Sequence, residues 1–412
     1  MNYVQNSNQG GFELPSKRLR IAIFVDLFLP VVDGVAIVVH NLATRLSETS
    51  DVTVFAPAIP DGKSMPQTAY KIVRCKKVKI PLIGYDMAIP YSDSEFCKTL
   101  RNSKFDIVHI HSPFSLGSIG VRLARKQHIP VVATMHSQFE MDFQNQSKSK
   151  FLTRIMLNKI MKVFNKCDEC WAVNDKMVEV FYGYGAKKAI SVHLNGTDLL
   201  PLEPIVGTSP LIKRHHIDQE DKIFLFVGRI SRLKNVFFLL ESLQILSSRN
   251  FPFKMLFVGT GPDEELLKSS IQNFHLEHHC EMVGRIDDRQ QLAEYFQLAD
   301  LFLFPSLYDA SSLVQIEAAS QRTPSLFLRG AVTAQTVHDG IDGFLSDNSQ
   351  VAYANKIISI FSDETSYQNV CEGAYQNLYR TWDDEILDSS FDYRRLIVIH
   401  SARSPYRSVS SF

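Results

Sequence analysis

The sequence is short of several things, and each shortage removes a class of protein. No apolar run reaches the roughly 18 residues that a membrane-spanning helix needs. Met1–Ser16 is polar rather than a charged-then-apolar leader, so no secretory signal is expected either. There is no charge excess: 44 basic and 44 acidic residues leave a formal net charge of zero, which argues against nucleic acid as a partner. Six cysteines (Cys75, Cys97, Cys167, Cys170, Cys280, Cys371) are scattered through 412 residues, too thinly for a disulfide scaffold. Cys167 and Cys170 form a lone C-x-x-C, CDEC, with no second pair to complete a zinc site. Ordinary thiols at a helix end or strand start are the simpler reading, with metal or redox work as the alternative. A reducing, cytoplasmic compartment is expected.

What is present is an α/β pattern. With 45% hydrophobic residues the chain is long enough for two cores, so two domains are expected. A first series of buried-strand runs comprises Arg20–Asp26, Asp51–Ala56, Phe105–His111, Pro130–His136 and Glu169–Val173. A helix is expected over about Ala36–Glu48. A second series comprises Lys222–Gly228, Lys254–Gly259, Glu281–Gly284, Leu301–Pro305 and Pro324–Leu328. Strands alternating with helical stretches predict parallel sheets buried on both faces. Pro201–Ser209 (PLEPIVGTS) reads as the linker. The expected layout is a polar leader at 1–16, domains at 17–200 and 210–384 joined by 201–209, a helix at 385–400, and a tail at 401–412 expected to be disordered. In tandem doubly wound domains the carboxyl edges of both sheets can face one cleft, where ligands bind.

The stretch Leu301–Ala319, LFLFPSLYDASSLVQIEAA, reads as strand, polar loop and helix start. Asp309 and Glu317 are separated by seven residues, one on the loop and one in the first turns of the helix. Free N–H groups at a helix start attract phosphate, and carboxylates accept hydrogen bonds from hydroxyls. Diphosphate plus polyhydroxyl describes a nucleotide-sugar; solvated acids on an ordinary turn are the alternative.

In order along residues 18–398 the chain resembles the retaining GT-B glycosyltransferases of family 4. DLFLPVVDGVA (Asp26–Ala36) is similar to their amino-terminal glycine loop, FDIVHIHSPFSLG (Phe105–Gly117) to the second signature, and ATMHSQF (Ala133–Phe139) to the T-x-H-T turn. HLNGTDL (His193–Leu199) resembles the P-N-G-x-D hinge segment, VGRISRLKN (Val227–Asn235) the G-R-x-x-x-x-K-N loop, and VGTGPDEELL (Val258–Leu267) the G-x-G-P turn. Asp309–Glu317 matches the E-x7-E motif, and HDGIDGFL (His338–Leu345) the end signature.

The resemblance implies a nucleotide-sugar donor and a two-domain GT-B fold, with an acceptor-side first domain and a donor-binding second. Residue by residue, Arg229 and Lys234 match the phosphate pair, Gly34 lets backbone approach the donor phosphates, and Ser312, Leu313 and Val314 offer N–H groups to them. His136 would hydrogen-bond a sugar hydroxyl and stabilise positive charge at the anomeric carbon, Asp309 would hold sugar hydroxyls, and Glu317 the ribose. Arg285 and Ile286 are the candidates for contact with the base. No D-x-D occurs, so charge neutralisation by Arg229, Lys234 and backbone amides, without metal or cofactor, is expected. Three positions depart from the pattern: Asp309 is one methylene short, Ser312 replaces a glycine, and Arg322 replaces the glycine before T-P. A side chain at Ser312 either narrows the donor pocket or adds a hydrogen bond. These departures keep a weakly active partner subunit open as an alternative.

The acceptor is addressed by Lys148–Lys166, KSKFLTRIMLNKIMKVFNK, which holds six basic residues (Lys148, Lys150, Arg154, Lys159, Lys162, Lys166) and no acid. Interleaved apolar residues make it either a helix lying on an anionic membrane surface or a domain-core helix with solvated lysines. A second basic run, Lys71–Lys79, and the loop Ile80–Pro90, similar to one in lipid glycosyltransferases, lie in the same domain. A lipid or lipid-linked glycan acceptor, UDP-glucose as first-choice donor, and a peripheral position on the inner face of the plasma membrane are expected. A soluble polysaccharide or small-molecule acceptor is the alternative.

Overall fold

The computed structural model describes residues 18–31, 33–60, 62, 64–65, 67–79, 86–147, 149–204 and 209–403. The leader, positions 80–85 of the lipid-enzyme-like loop, Lys148, the middle of the linker (205–208) and most of the tail (404–412) lie outside the described residues.

Fifteen strands are described. The first domain holds β1 (Leu19–Phe24), β2 (Ser50–Pro57), β3 (Lys71–Cys75), β4 (Lys77–Lys79), β5 (Asp86–Ala88), β6 (Ile107–Ile110), β7 (Val131–Met135), β8 (Glu169–Ala172) and β9 (Ile190–Val192). The second holds β10 (Lys222–Val227), β11 (Phe253–Val258), β12 (Cys280–Gly284), β13 (Leu301–Phe304), β14 (Ser325–Leu328) and β15 (Phe344–Ser346). One sheet runs β3-β2-β1-β6-β7-β8-β9 and the other β12-β11-β10-β13-β14-β15, every pairing in both being parallel. The central strands are buried from end to end, as sheets covered by helices on both faces require. The strand order of each sheet reverses beside its first strand, leaving a crevice at the carboxyl edge.

The expected elements are found with shifted ends. The first helix spans Gly34–Thr49 rather than Ala36–Glu48, because Asp33 caps it through Ala36 N at 2.6 Å. The last helix runs Trp382–Arg403, longer than the expected 385–400 at both ends. It starts at a reciprocal cap: Asp384 accepts from Thr381 N at 2.9 Å, and Asp384 N donates back to Thr381 Oγ1 at 3.3 Å. Its last turn takes in the first residues of the expected tail. The basic run Lys71–Lys79 is not a free patch: it forms β3 and, with β5, one strand of an antiparallel hairpin in which Lys77 pairs with Asp86 at 2.6 Å.

The first sheet has two differently covered faces. One carries the helices Ser115–Gln127, Lys150–Phe164 and Asp175–Gly183 over a core of Phe24, Phe55, Ile110, Phe164 and Phe181. The other carries the Gly34–Thr49 helix and the closing Trp382–Arg403 helix, whose Tyr393 and Leu396 join Ile21, Ile23, Val39 and Trp171. The chain thus crosses between domains twice. The two crossovers are joined: Thr197 N donates to Arg380 O at 2.9 Å and Trp382 N to Thr197 O at 3.3 Å. Gly196 permits this, since a Cβ there would lie 2.4 Å from the Thr381 carbonyl.

Candidate active site

The carboxyl ends of β1, β6, β7 and β8 supply one lip of the cleft. His109 and His111 alternate on β6 and its exit, so both side chains point to the same face. Their rings lie 3.9 Å apart. His111 Nδ1 and His136 Nε2 share a hydrogen bond of 2.9 Å just past β7. His109 bonds Tyr393 Oη and Thr134 Oγ1, each at 2.6 Å, so the closing helix reaches into the cluster. Burial pushes the pKa of His136 down to about 4 and those of His109 and His111 well below their usual value, so all three are neutral at physiological pH. His193 differs. Burial lowers its pKa, but hydrogen bonds and charge from Glu385 (3.3 Å) and Asp392 (3.0 Å) outweigh this and raise it. It stacks on Trp171 at 3.7 Å. Asp26, at the exit of β1, accepts from Ser115 Oγ and Leu116 N at 2.9 Å, and burial raises its pKa to about 6.

The second lip follows β10, β12 and β13. Lys234 closes a single 3-10 turn (Arg232–Lys234) and pairs with Asp309, both side chains being mostly buried. The Asp309 loop is followed by the Leu313–Ser320 helix. Ser312 caps that helix, its Oγ accepting from Gln315 N at 3.2 Å. The Ser312 φ of −106° suits any residue, and its hydroxyl caps its own helix. The N–H groups of Leu313 and Val314, in the first turn, have no helical carbonyl to bond. Glu317 is buried and accepts from Arg289 Nη2 at 2.7 Å. Arg322 lies away from this cluster, with φ +61°, paired to Glu372 and stacked over Tyr375.

Other expected residues are placed less tightly. Arg229 is exposed just after β10 and makes no ion pair among the described residues. Gly34 opens the first helix, and a Cβ there would meet nothing within 4 Å, so the helix itself does not require glycine. Arg285 is exposed and paired with Asp287 at 2.6 Å, while Ile286 packs on the second domain's core. Cys167 and Cys170 are buried free thiols bonding the carbonyls of Val163 and Phe164 at 3.7 Å, and burial raises both pKa values.

Sequence reasoning missed the residues that hold the lips together. Gln138 donates to the carbonyls of Tyr308 (2.9 Å) and Asp309 (3.2 Å). Asn174, the cap of the Asp175–Gly183 helix, donates to Ala310 O at 2.7 Å. Asn195 bonds Ser311 Oγ at 3.0 Å, and Tyr308 bonds Asp142. The Asp309 loop is thus gripped from the opposite domain. Lone amides carry no periodic signal, whereas the alternating histidines of FDIVHIH were a readable one.

The basic helix, Lys150–Phe164, turns out to be two things. Its second half is core: Ile160, Met161 and Phe164 are buried. Its first half is not: Phe151 is 76% exposed, Leu152 44% and Ile155 36%. Lys150, Arg154, Lys159, Lys162 and Lys166 are exposed and form no ion pair among the described residues. The interleaved apolar residues are divided between core and surface, because only the carboxyl-terminal part of the helix faces the sheet. No helix among the described residues is long and apolar enough to cross a membrane.

Two parallel-sheet domains with facing carboxyl edges are the GT-B architecture. Residues 32–199 match the model described as Glycosyltransferase Family 4, and residues 209–377 the one described as Glycosyl transferases group 1. The chain belongs to this family 4, group 1, lineage of glycosyltransferases. It is 25% identical over 354 residues to the alpha-monoglucosyldiacylglycerol synthase of Acholeplasma laidlawii, covering 81% of this chain and 86% of that protein. It is likewise 25% identical to the GDP-mannose-dependent alpha-mannosyltransferase of Corynebacterium glutamicum, covering 89% and 86%. Among solved structures it is similar to Anabaena HepE in complex with UDP, with a TM-score of 0.74, 16% identity, and 92% and 100% of the two chains covered.

Proposed function

We propose that this glycosyltransferase moves a hexose, with UDP-glucose as donor, to a hydroxyl of a membrane lipid or lipid-linked glycan, with retention of anomeric configuration. The acceptor reading rests on the exposed Phe151, Leu152 and Ile155 ringed by Lys150, Arg154, Lys159 and Lys162, which form no ion pair among the described residues. Each such charge adds about 1 kcal/mol of attraction to an anionic surface, and the apolar residues give the contact a face to bury. The synthase of A. laidlawii, by its name a glucosyl and diacylglycerol enzyme, supports both the sugar and the lipid.

In this reading Arg229, Lys234 and the N–H groups of Leu313 and Val314 take the diphosphate, needing no metal ion. Glu317 accepts the ribose hydroxyls, and Asp309 those of the sugar. The bond from the anomeric carbon to phosphate oxygen breaks as the acceptor oxygen bonds the same face. The acceptor's proton passes to the departing phosphate oxygen. His136, neutral, accepts or donates one hydrogen bond without repelling the positive charge that builds on the sugar ring.

The test has two arms. Purified protein is given UDP-glucose, UDP-galactose, GDP-mannose or UDP-N-acetylglucosamine separately, without acceptor, and slow release of sugar is measured. Release from UDP-glucose, lost in Lys234→Ala and Glu317→Ala, is expected; release from another donor corrects the sugar. Silence with all four, with no nucleotide binding by calorimetry, overturns the enzyme reading in favour of a partner subunit. In the second arm, sedimentation with liposomes is expected only when anionic lipid is present, and less for Lys159→Glu with Lys162→Glu. Binding indifferent to both would replace the lipid acceptor by a soluble one.

A further inference from the structure

Arg289 has no place in the donor chemistry above, yet it is tied into it. It opens the Arg289–Leu298 helix, capped by Asp288 through Gln291 N at 2.8 Å. A cation in a helix's first turn meets the positive end of the dipole, the disfavoured position. Two carboxylates offset that. Arg289 Nη2 donates to Glu317 Oε1 at 2.7 Å and to Asp198 Oδ1 at 2.5 Å, and one guanidinium nitrogen thus bridges both acids. Its Nε is buried and has no partner among the described residues. The Glu317 side chain is 10% exposed and that of Asp198 38%. Glu317 Oε2 makes no hydrogen bond among the described residues and remains available to a ligand.

Asp198 belongs to the first interdomain crossover, one residue after Thr197, whose amide and carbonyl bond the returning strand at Arg380 and Trp382. On the other side lies His40 of the first helix, whose pKa burial and the Arg45 charge lower, with the Asp198 charge opposing them in part. The bridge Glu317–Arg289–Asp198 therefore runs from the donor side to the hinge.

We propose that Arg289 is a positioning residue that aims Glu317 at the donor ribose and ties donor occupancy to the interdomain crossover through Asp198. This rests on Glu317 being the ribose acceptor. With Oε1 held by Arg289, Oε2 is presented to the ribose as a fixed acceptor. The charges facing Glu317 have opposite effects on it: burial raises its pKa, Arg289 lowers it, and Asp198 raises it. Removing Arg289 and removing the Asp198 charge must then displace its titration in opposite directions.

UDP binding by calorimetry across the acidic range tests this on wild type, Arg289→Met, Arg289→Lys and Asp198→Asn. The ligand's own phosphate titration is common to all four and cancels. Arg289→Met is expected to weaken UDP roughly tenfold, the scale of one lost charge-assisted contact. Its affinity should fall off at a higher pH than wild type, Asp198→Asn at a lower pH, and Arg289→Lys near wild type. Wild type should prefer UDP to 2′,3′-dideoxy-UDP, and Arg289→Met should lose that preference. UDP should slow amide exchange at Thr197 and Leu199 in wild type but not in Asp198→Asn. Coincident pH limbs, or a ribose preference untouched in Arg289→Met, overturn the proposal. Wild type that binds no UDP fails the donor reading itself, and this inference with it. Should Arg289→Met not fold, Asp198→Asn still has to shift to lower pH while Arg289→Lys stays near wild type, and a coincident limb in Asp198→Asn overturns the proposal.

Discussion

The two lips of the cleft solve the same problem, polar groups at a sheet edge, by opposite means. The first-domain lip uses neutral side chains: His109, His111 and His136 lie against each other, and burial keeps them uncharged. The second-domain lip uses full charges held in pairs, Lys234 with Asp309 and Arg289 with Glu317 and Asp198. The difference suits a reaction in which charge separates across the cleft. In the proposed reaction a diphosphate would take Lys234 from Asp309, exchanging one anion for another at little desolvation cost. A sugar ring gaining positive charge would meet, on the other side, dipoles instead of cations.

The largest expected effect breaks the comparison at its charged side. Lys234→Ala should lower donor turnover by about 10²–10³, the scale of losing one electrostatic contact to a leaving group, while His136→Gln, keeping a neutral hydrogen-bonding group, should cost less. A steady-state assay giving the reverse order would mean that the lips have been assigned the wrong way round.

A smaller effect concerns pH. His136 titrates near 4 when folded and near 6.5 when unfolded, so the unfolded chain binds more protons between those values and stability falls as pH drops through that window. His109 and His111, also depressed, act in the same sense. Asp26, raised from 3.8 to about 6, acts in the opposite sense: it stabilises below its unfolded value, and this is lost as pH rises through about 6. The histidine cluster by itself loses stability on acidification, and His109→Gln should make urea midpoints fall less steeply with pH. An unchanged slope would show that the cluster is not buried neutral.

The smallest expected effect is at Cys167 and Cys170. Both thiols are buried, and burial pushes the pKa of Cys170 to about 12. They lie before and early in β8, at the sheet edge away from the cleft. Cys170→Ala and mild alkylation should leave turnover unchanged; inhibition by alkylation would restore the redox or metal alternative.

Legibility followed repetition. Buried parallel strands write themselves as apolar runs, so the sheet centres were readable from LFLF or KIFLFV, while β9 and β15, three residues each at or near sheet edges, were not. Lys234, Asp309 and Glu317 could be singled out because they fall on motif positions just past strand ends, and the structure brings Lys234 and Asp309 together. Gln138, Asn174, Asn195 and Arg289 were not, since each acts on a partner more than 20 residues away and an isolated polar residue looks the same whether solvated or bonded. Lys150–Phe164 lay between these cases: its composition announced a basic amphipathic helix, but only packing revealed which half faces the sheet.

The joined crossovers at Thr197 and Thr381 have a mechanical consequence. A single tether lets two bodies swing and twist about any axis through it. Two tethers bonded side by side behave like a door hung on two pins: swinging about the line that joins them stays easy, while twisting would shear the Thr197–Arg380 and Trp382–Thr197 bonds. Any swing between the domains would thereby be reduced toward one rotational degree of freedom and would return the two lips to the same register. Gly196, by allowing the strands to touch, is the residue that sets the pin spacing.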